Sequence, residues 1–289
     1  MKKSVNIAFI GGDNRAAHAA GYLCALGYEV GYCGCKSDMH PQAVKIERVG
    51  DALDFADAVI LPIPVSRDDK TVSYSGGVLL SQITNALPRR KKISFFGGIV
   101  PKSFKNELEI LGHGVFDYAE CENYLQVSAT LTADAFFDFI KDKNFGVLEN
   151  QTAAVCGLGR IGKRLVSALA GQNTQINVLS SKTAEQVGLY PENVRFFSYD
   201  QAKDALFGCS VVINTAPANV IGIQAVKALP ENGVFYELAS APFGIDGECA
   251  KYLGARYQKA LGLPGIYYPK ESGELIAKSV LEQLGALSV

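Results

Sequence analysis

Apolar β-branched runs alternate with stretches of helical spacing from one end of the chain to the other. That alternation is expected of strands in a parallel sheet separated by crossover helices. In the first half, "VNIAFIGG", "YEVGYC", "AVILPIPV", "KISFFGG" and "GVFDYA" predict strands. Helical spacing fills the intervals, as in 15–27 ("RAAHAAGYLCALG"), where Gly27 is placed to close a helix as its C-cap. The stretch 126–144 keeps helical spacing with no internal glycine or proline. A second cycle follows, with "TAAVCGLG" a strand, "RIGKRLVSALAG" a helix and "QINVLSS" a strand. The sheet continues through "VRFFSYD", "SVVINTAP" and "GVFYELAS", and 271–287 ("ESGELIAKSVLEQLGAL") predicts an amphipathic helix.

The pattern predicts an α/β fold: two Rossmann-like, doubly wound parallel-sheet domains joined by a long connecting helix, with the C-terminal helix returning to the first domain. Expected boundaries are 1–125 for an N-terminal flavodoxin- or Rossmann-like, substrate-side domain and 126–146 for the connecting helix. A nucleotide-binding Rossmann domain is expected over 147–268, and the closing helix over 269–289.

A chain of 289 residues is long enough for two domains that each bury a core. Its 48% apolar and 20% charged residues are those of a soluble globular protein. The net charge of -1 gives no electrostatic basis for binding nucleic acid or an acidic membrane surface. No apolar run approaches the ~20 residues needed to span a bilayer. The opening "MKKSVNIAFI" reaches Gly11, Gly12 and Asp13 too soon for a signal peptide and reads as a first strand. Seven cysteines, an odd number scattered through apolar segments, predict reduced thiols in the cytoplasm. Cys33-Gly34-Cys35 is too tight for a Cys-x-x-Cys pair, and His18, His40 and His113 form no ligand spacing, so no metal is expected.

Gly157-Leu158-Gly159-Arg160-Ile161-Gly162 follows a predicted strand and opens a predicted helix, as a dinucleotide fingerprint requires. Gly157 would permit the tight turn, Gly159 the approach of a pyrophosphate, and Gly162 close helix–strand packing. Arg160 and Ile161 open the helix whose N-terminus attracts phosphate. About 20 residues on, NAD-binding folds carry an acid for the ribose hydroxyls. Here that position reads Ser180-Ser181-Lys182. Two hydroxyls and a cation suit a 2'-phosphate where an acid would repel it, so the cofactor expected is NADP(H). The alternative is that Lys182 is a solvated residue at a helix start. Farther on, "NTAP" and "ELAS" end strands, which places Thr215, Ala216, Pro217, Ala239 and Ser240 on the nicotinamide side. Ordinary turn residues are the competing reading.

The segments "IAFIGGDNR", "ADAVILPIPVSRDDKTV", "SFFGG", "GLGRIG", "ELASAPFGID" and "ALGLPGIYYPKESGELIAKSVL", in that order, resemble the family of the dipicolinate synthase A subunit. The likeness runs from Ile7 to about Leu281. The resemblance implies oxidation of dihydrodipicolinate to dipicolinate with NADP+, in the mother cell of a spore former, beside a flavoprotein-like B subunit. The chain departs from the family at two places. Asp134 in "LTADA" stands where the family pattern carries a glutamate, and Ser240-Ala241-Pro242-Phe243-Gly244 lacks a basic residue and a glycine.

For such a substrate the protein must hold two carboxylates, which arginine does best. Arg67, in the loop after "ILPIPV", and Arg15, at the first helix start, stand at strand carboxyl ends facing an expected cleft between the domains. Ser66 would add a hydroxyl, and Asp134 is the candidate proton acceptor, with a helix-start cap as its alternative. A solvated surface charge is the usual fate of basic side chains, and Lys270 is assigned to it.

Two other readings stand beside this one. A D-2-hydroxyacid dehydrogenase-like enzyme, acting on another small dicarboxylate, would need a histidine after the nucleotide domain, whereas all three histidines precede residue 114. A non-catalytic NADP(H)-binding subunit of a two-part complex would carry the same glycine motif. The apolar stripe of the last helix would serve either a homo-oligomer or packing on the first domain.

Overall fold

The structure is a computed structural model that describes residues 5–143, 148, 151–172, 174–182 and 190–285. It divides into two compact units, Met1–Ser128 with Pro264–Val289, and Ala129–Leu263.

The first unit runs β1 (Asn6–Ile10), α1 (Asn14–Ala25), β2 (Glu29–Cys33), β3 (Val44–Lys45), α2 (Val49–Phe55), β4 (Ala58–Ile60), α3 (Leu80–Asn85), β5 (Ser94–Gly97), α4 (Lys102–Ile110) and β6 (Gly114–Asp117). Its six described strands are all parallel, in the order β3-β2-β1-β4-β5-β6. The order reverses between β1 and β4, the switch point where open α/β sheets present ligands. Ile7 to Ile10 are buried, as expected for a central parallel strand covered on both faces. β4 ends at Ile60, earlier than its apolar run suggests, because Pro62 and Pro64 lack the N–H a ladder needs.

Helix α5 (Glu122–Asp142) crosses the division between the units, which falls after Ser128. The second unit continues with β7 (Thr152–Cys156), α6 (Arg160–Ala170), β8 (Gln175–Leu179), β9 (Val194–Phe197), α7 (Ala202–Leu206), β10 (Val211–Asn214), α8 (Ile223–Val226), β11 (Val234–Glu237), α9 (Gly247–Leu253) and β12 (Tyr257–Lys259). Its order, β12-β11-β10-β7-β8-β9, repeats that of the first sheet read from the other edge.

The chain then returns to the first unit through α10 (Leu263–Tyr267) and α11 (Pro269–Gln283). Helix α11 packs on α1 through small residues. A Cβ at Gly273 would lie 2.5 Å from the Arg15 carbonyl oxygen and 2.8 Å from His18 Cβ, so glycine sets this close approach. Ala16, Ala19 and Ala20 on α1, and Ile276, Ala277 and Val280 on α11, are buried. All seven cysteines are free thiols, and Cys33, Cys156, Cys209 and Cys249 are buried. No described helix is long and apolar enough to cross a membrane.

The first strand of each sheet, β1 and β7, is followed by a glycine turn, and the two turns differ in access. In the first unit the 66–79 segment lies over it. Gly12 N–H donates to the Tyr74 carbonyl at 3.1 Å, and a Cβ at Gly11 would meet the Ser73 carbonyl oxygen at 2.8 Å. In the second unit no described residue lies within 4 Å of the Cβ position of Gly159.

Candidate functional site

The loop between β7 and α6 has a separate steric reason for each glycine. Gly157 adopts φ +93°, and a Cβ there would stand 2.8 Å from Thr215 Oγ1 and 2.9 Å from the Ala216 nitrogen. Gly162, one turn into α6, faces the Gly157 carbonyl with no room for a side chain. Gly159 is the N-cap of α6, with ordinary φ of -77°, and borders open space. The outer glycines therefore bring helix and strand together, while the middle one leaves backbone uncovered. The first helical bond in reach is Lys163 N–H to the Gly159 carbonyl at 3.0 Å. The N–H groups of Ile161 and Gly162 precede it at the start of the helix, which is the arrangement that receives phosphate. Arg160 is exposed beside them. These features fit a dinucleotide pyrophosphate.

At the end of β8, Ser180 is buried and its Oγ accepts from the Lys182 N–H at 3.0 Å, leaving the hydroxyl proton available to another acceptor. Ser181 and Lys182 are exposed. The expectation that Lys182 begins a helix falls on 183–189, outside the described residues.

The edges formed by β10 and β11 are tied together by a group that periodicity does not reveal. Glu237 is fully buried at the end of β11. Its Oε1 accepts from Asn214 Nδ2 at 2.6 Å and Ala239 N–H at 3.1 Å, and its Oε2 from Gly244 N–H at 2.9 Å. Asn214 in turn holds Ala216 by both its carbonyl (3.0 Å) and its N–H (3.2 Å). Burial pushes the Glu237 carboxyl up, and these donors act against that shift. Thr215 Oγ1 lies 3.1 Å from the carbonyls of both Cys156 and Gly157, so this hydroxyl clasps the glycine loop. Ala216 is half-buried, Pro217 and Ser240 are exposed, and Ala239 is buried. Asn214 and Glu237 escape the sequence reading. The signal available is a polar residue ending each of two apolar strands, "SVVIN" and "GVFYE".

The four catalytic candidates fare differently, Arg15, Ser66 and Arg67 in the first unit and Asp134 in the second. Arg15 donates from Nη2 to Asp13 Oδ2 at 2.7 Å and to the Ile63 carbonyl at 2.9 Å, and from Nε to Asp13 Oδ1 at 3.0 Å. Burial lowers its pKa, yet hydrogen bonding and charge from Asp13 carry the net shift upward. Its charge is answered inside the fold. Ser66 is expected to offer a donor. It is buried, and its Oγ donates to Asp68 Oδ1 at 3.0 Å, so the proton is already engaged. That Asp68 carboxylate also accepts from Thr71 N–H at 2.7 Å and Lys70 N–H at 3.0 Å, which hold it well below the usual carboxylate range. Arg67 is exposed and donates from Nη2 to Tyr74 Oη at 2.7 Å, which leaves most of its fork open. Asp134 corrects an expectation. It sits mid-way along α5, exposed between buried Ala133 and Ala135, and not at a helix start, because the helix begins at Glu122. Lys270 is exposed in the first turn of α11.

Residues 6–119 match the family model of the N-terminal domain of the dipicolinate synthase A subunit. The dipicolinate synthase A subunit of Bacillus subtilis (strain 168) is 24% identical over 98% of this chain and 97% of its own length. The crystal structure of the dipicolinate synthase A subunit from Bacillus halodurans superposes with a TM-score of 0.84 at 22% identity, covering both chains completely. A transhydrogenase from Sinorhizobium meliloti shares the fold more loosely, with a TM-score of 0.65 at 12% identity over 97% of this chain and 94% of that one. Residues 6–119 thus match the N-terminal domain of dipicolinate synthase A subunits, within a chain that resembles those proteins from end to end.

Proposed function

We propose that the protein is an NADP-dependent oxidoreductase of the dipicolinate synthase type, which oxidises dihydrodipicolinate to dipicolinate. The observation that carries the reading is the contrast between the two glycine turns. The one in the first unit is covered by its own chain, while no described residue covers Gly159 in the second, at the N-terminus of α6.

Residues Gly157 to Gly162 would hold the pyrophosphate, and Ser181 and Lys182, with Ser180 behind them, the 2'-phosphate. Thr215, Ala216, Pro217, Ala239 and Ser240 shape the nicotinamide edge, kept in register by Asn214 and Glu237. Bound there, NADP+ supplies the two-electron acceptor. The remaining task is orientation and charge. Loss of a hydride and a proton makes the dihydropyridine ring aromatic, which supplies driving force, so the protein mainly aligns the ring and neutralises its carboxylates. Arg67 is the carboxylate ligand best supported, because its fork faces solvent. Arg15 instead braces the first glycine turn through Asp13 and Ile63. Asp134 keeps its place as a proposed proton acceptor.

The relatives are named as one subunit of the synthase, which supports a B subunit for the partner, and reduced thiols support a cytoplasmic setting. A second reading, a non-catalytic NADP(H)-binding subunit, is favoured by one observation. Ala241 stands where the family pattern carries a basic residue. The test mixes purified protein, fresh dihydrodipicolinate and NADP+, follows NADPH absorbance, and repeats the assay with a B subunit. Turnover by the chain alone establishes a self-sufficient dehydrogenase, and turnover only with the partner makes this the nicotinamide-binding half. No turnover in either arm, with NADPH binding intact, rejects the substrate.

A further inference from the structure

We propose that Lys259, held over the ring of Phe243, is the cation that takes a carboxylate of the acid at the nicotinamide edge of the second unit. It acts as a specificity-determining residue, presented by a loop built for that purpose.

The loop that follows β11 is pinned at its base. Buried Glu237 ties both ends, its Oε1 accepting from Ala239 N–H and its Oε2 from Gly244 N–H. The Gly244 carbonyl accepts from Val220 and Ile221 N–H at 3.2 and 3.1 Å, which fixes the far end a second time. Asn214 fills the space a Cβ at Gly244 would need, so only glycine fits there. Between these anchors Phe243 N–H donates to the Ser240 carbonyl at 3.1 Å, and Phe243 adopts φ +67°. A bulky residue in the left-handed region costs free energy and persists only where its surroundings impose it. The result is a half-buried ring beside exposed Ser240, with the Lys259 ammonium 4.2 Å from its centroid. The five other described cation–ring contacts lie at 5.4–5.8 Å, so this ammonium is held closer than any of them.

An aromatic face positions an ammonium without neutralising it. Lys259 is exposed at the carboxyl end of β12, and among the described residues no carboxylate pairs with it. Glu237 stands opposite it in the strand register, but its oxygens are spent on Asn214, Ala239 and Gly244. The position of Lys259 is therefore set while its charge stays available. Open α/β sheets bind ligands at this carboxyl edge. An unanswered cation there suits the carboxylate of a small acid, and not the neutral carboxamide of the cofactor. The inference rests on the proposed nicotinamide edge and deepens it by naming the charge that holds the acid there.

Calorimetric titration of the full chain with pyridine-2,6-dicarboxylate, in the presence of NADP+, tests it through a double-mutant cycle. Lys259→Met should weaken binding about tenfold or more, the scale of a hydrogen bond to a charged group. Lys259→Arg, which keeps the cation, should retain most of the affinity. Phe243→Leu should cost about two- to fivefold, the scale of an exposed cation–π contact, and nothing further once Lys259 is Met. NADPH affinity and melting temperature of Lys259→Met should remain at wild-type level. Wild-type affinity in Lys259→Met overturns the proposal, as does an absence of binding to the wild type or a Phe243→Leu loss that persists without the lysine. Turnover of dihydrodipicolinate separates the two readings, with KM expected to rise in Lys259→Met and kcat to stay near wild type. Binding with these losses but no oxidation leaves the role of Lys259 standing and rejects the reaction. Oxidation with KM unmoved in Lys259→Met does the reverse.

Discussion

Gly159→Ala and Gly162→Ala are the same chemical change three residues apart, and the structure expects opposite consequences. At 159 the new methyl enters open space with φ at -77°, which alanine adopts freely. Losing glycine at an N-cap costs up to about 1 kcal/mol, and restricting the unfolded chain returns about 0.4–1 kcal/mol. Stability should therefore stay within about 1 kcal/mol of wild type. The methyl does occupy the surface on which a pyrophosphate would rest, so NADPH affinity should fall at least about tenfold, or ~1.4 kcal/mol. At 162 the methyl is driven into the Gly157 carbonyl, with the Gly157 carbon at 3.0 Å and Thr215 Oγ1 at 3.2 Å behind it. Backbone cannot swing aside as a side chain can, and overpacking of this kind costs about 1–3 kcal/mol. At roughly 2–4 °C per kcal/mol the melting temperature should drop by about 2–12 °C. Thermal melts and fluorescence titration with NADPH read both effects. A Gly159→Ala protein that binds NADPH like wild type refutes the loop as a pyrophosphate site. A Gly162→Ala protein as stable as wild type refutes the packing assignment.

Three further outcomes are expected. Lys182→Ala should weaken NADPH about tenfold and leave NADH unaffected, since only NADPH carries the 2'-phosphate, and equal losses for both would return Lys182 to the solvated surface. Arg67→Ala should raise the KM for dihydrodipicolinate with NADPH affinity intact, and unchanged kinetics would remove it from the site. Glu237 gives a pH signature. Burial holds its folded pKa above the unfolded value of about 4.3, so the stability it contributes is present in acid and lost as pH rises through the folded value. In urea melts across that window, wild type should lose stability relative to Glu237→Gln as pH rises, and a difference that moves the other way would contradict the assignment.

What the chain makes legible follows from how local each interaction is. The central strands announce themselves because β1 and β7 are buried on both faces, which demands unbroken apolar runs. Edge strand β3 is exposed at both residues and β12 is only partly buried, so neither leaves such a run in the sequence. The glycine loop is readable because its three glycines lie within six residues, although the atoms that crowd Gly157 belong to distant Thr215 and Ala216. The Asn214–Glu237 clasp is not, because its partners stand 23 residues apart and meet only when β10 pairs with β11. Arg15 carries a local warning in Asp13, a helix N-cap two residues earlier that also captures the guanidinium. The apolar periodicity around Asp134 sets in at about residue 126, which suggests a helix start close to it, whereas the polar first turn of α5 begins at Glu122.

The most direct single measurement is a crystal structure of the chain grown with NADPH and pyridine-2,6-dicarboxylate. The expected density puts the pyrophosphate on Gly159 at the N-terminus of α6, the 2'-phosphate at Ser181 and Lys182, and a carboxylate of the acid on Arg67. A dinucleotide bound elsewhere, or a 2'-phosphate turned away from Lys182, would contradict the assignment of this protein as an NADP-dependent oxidoreductase.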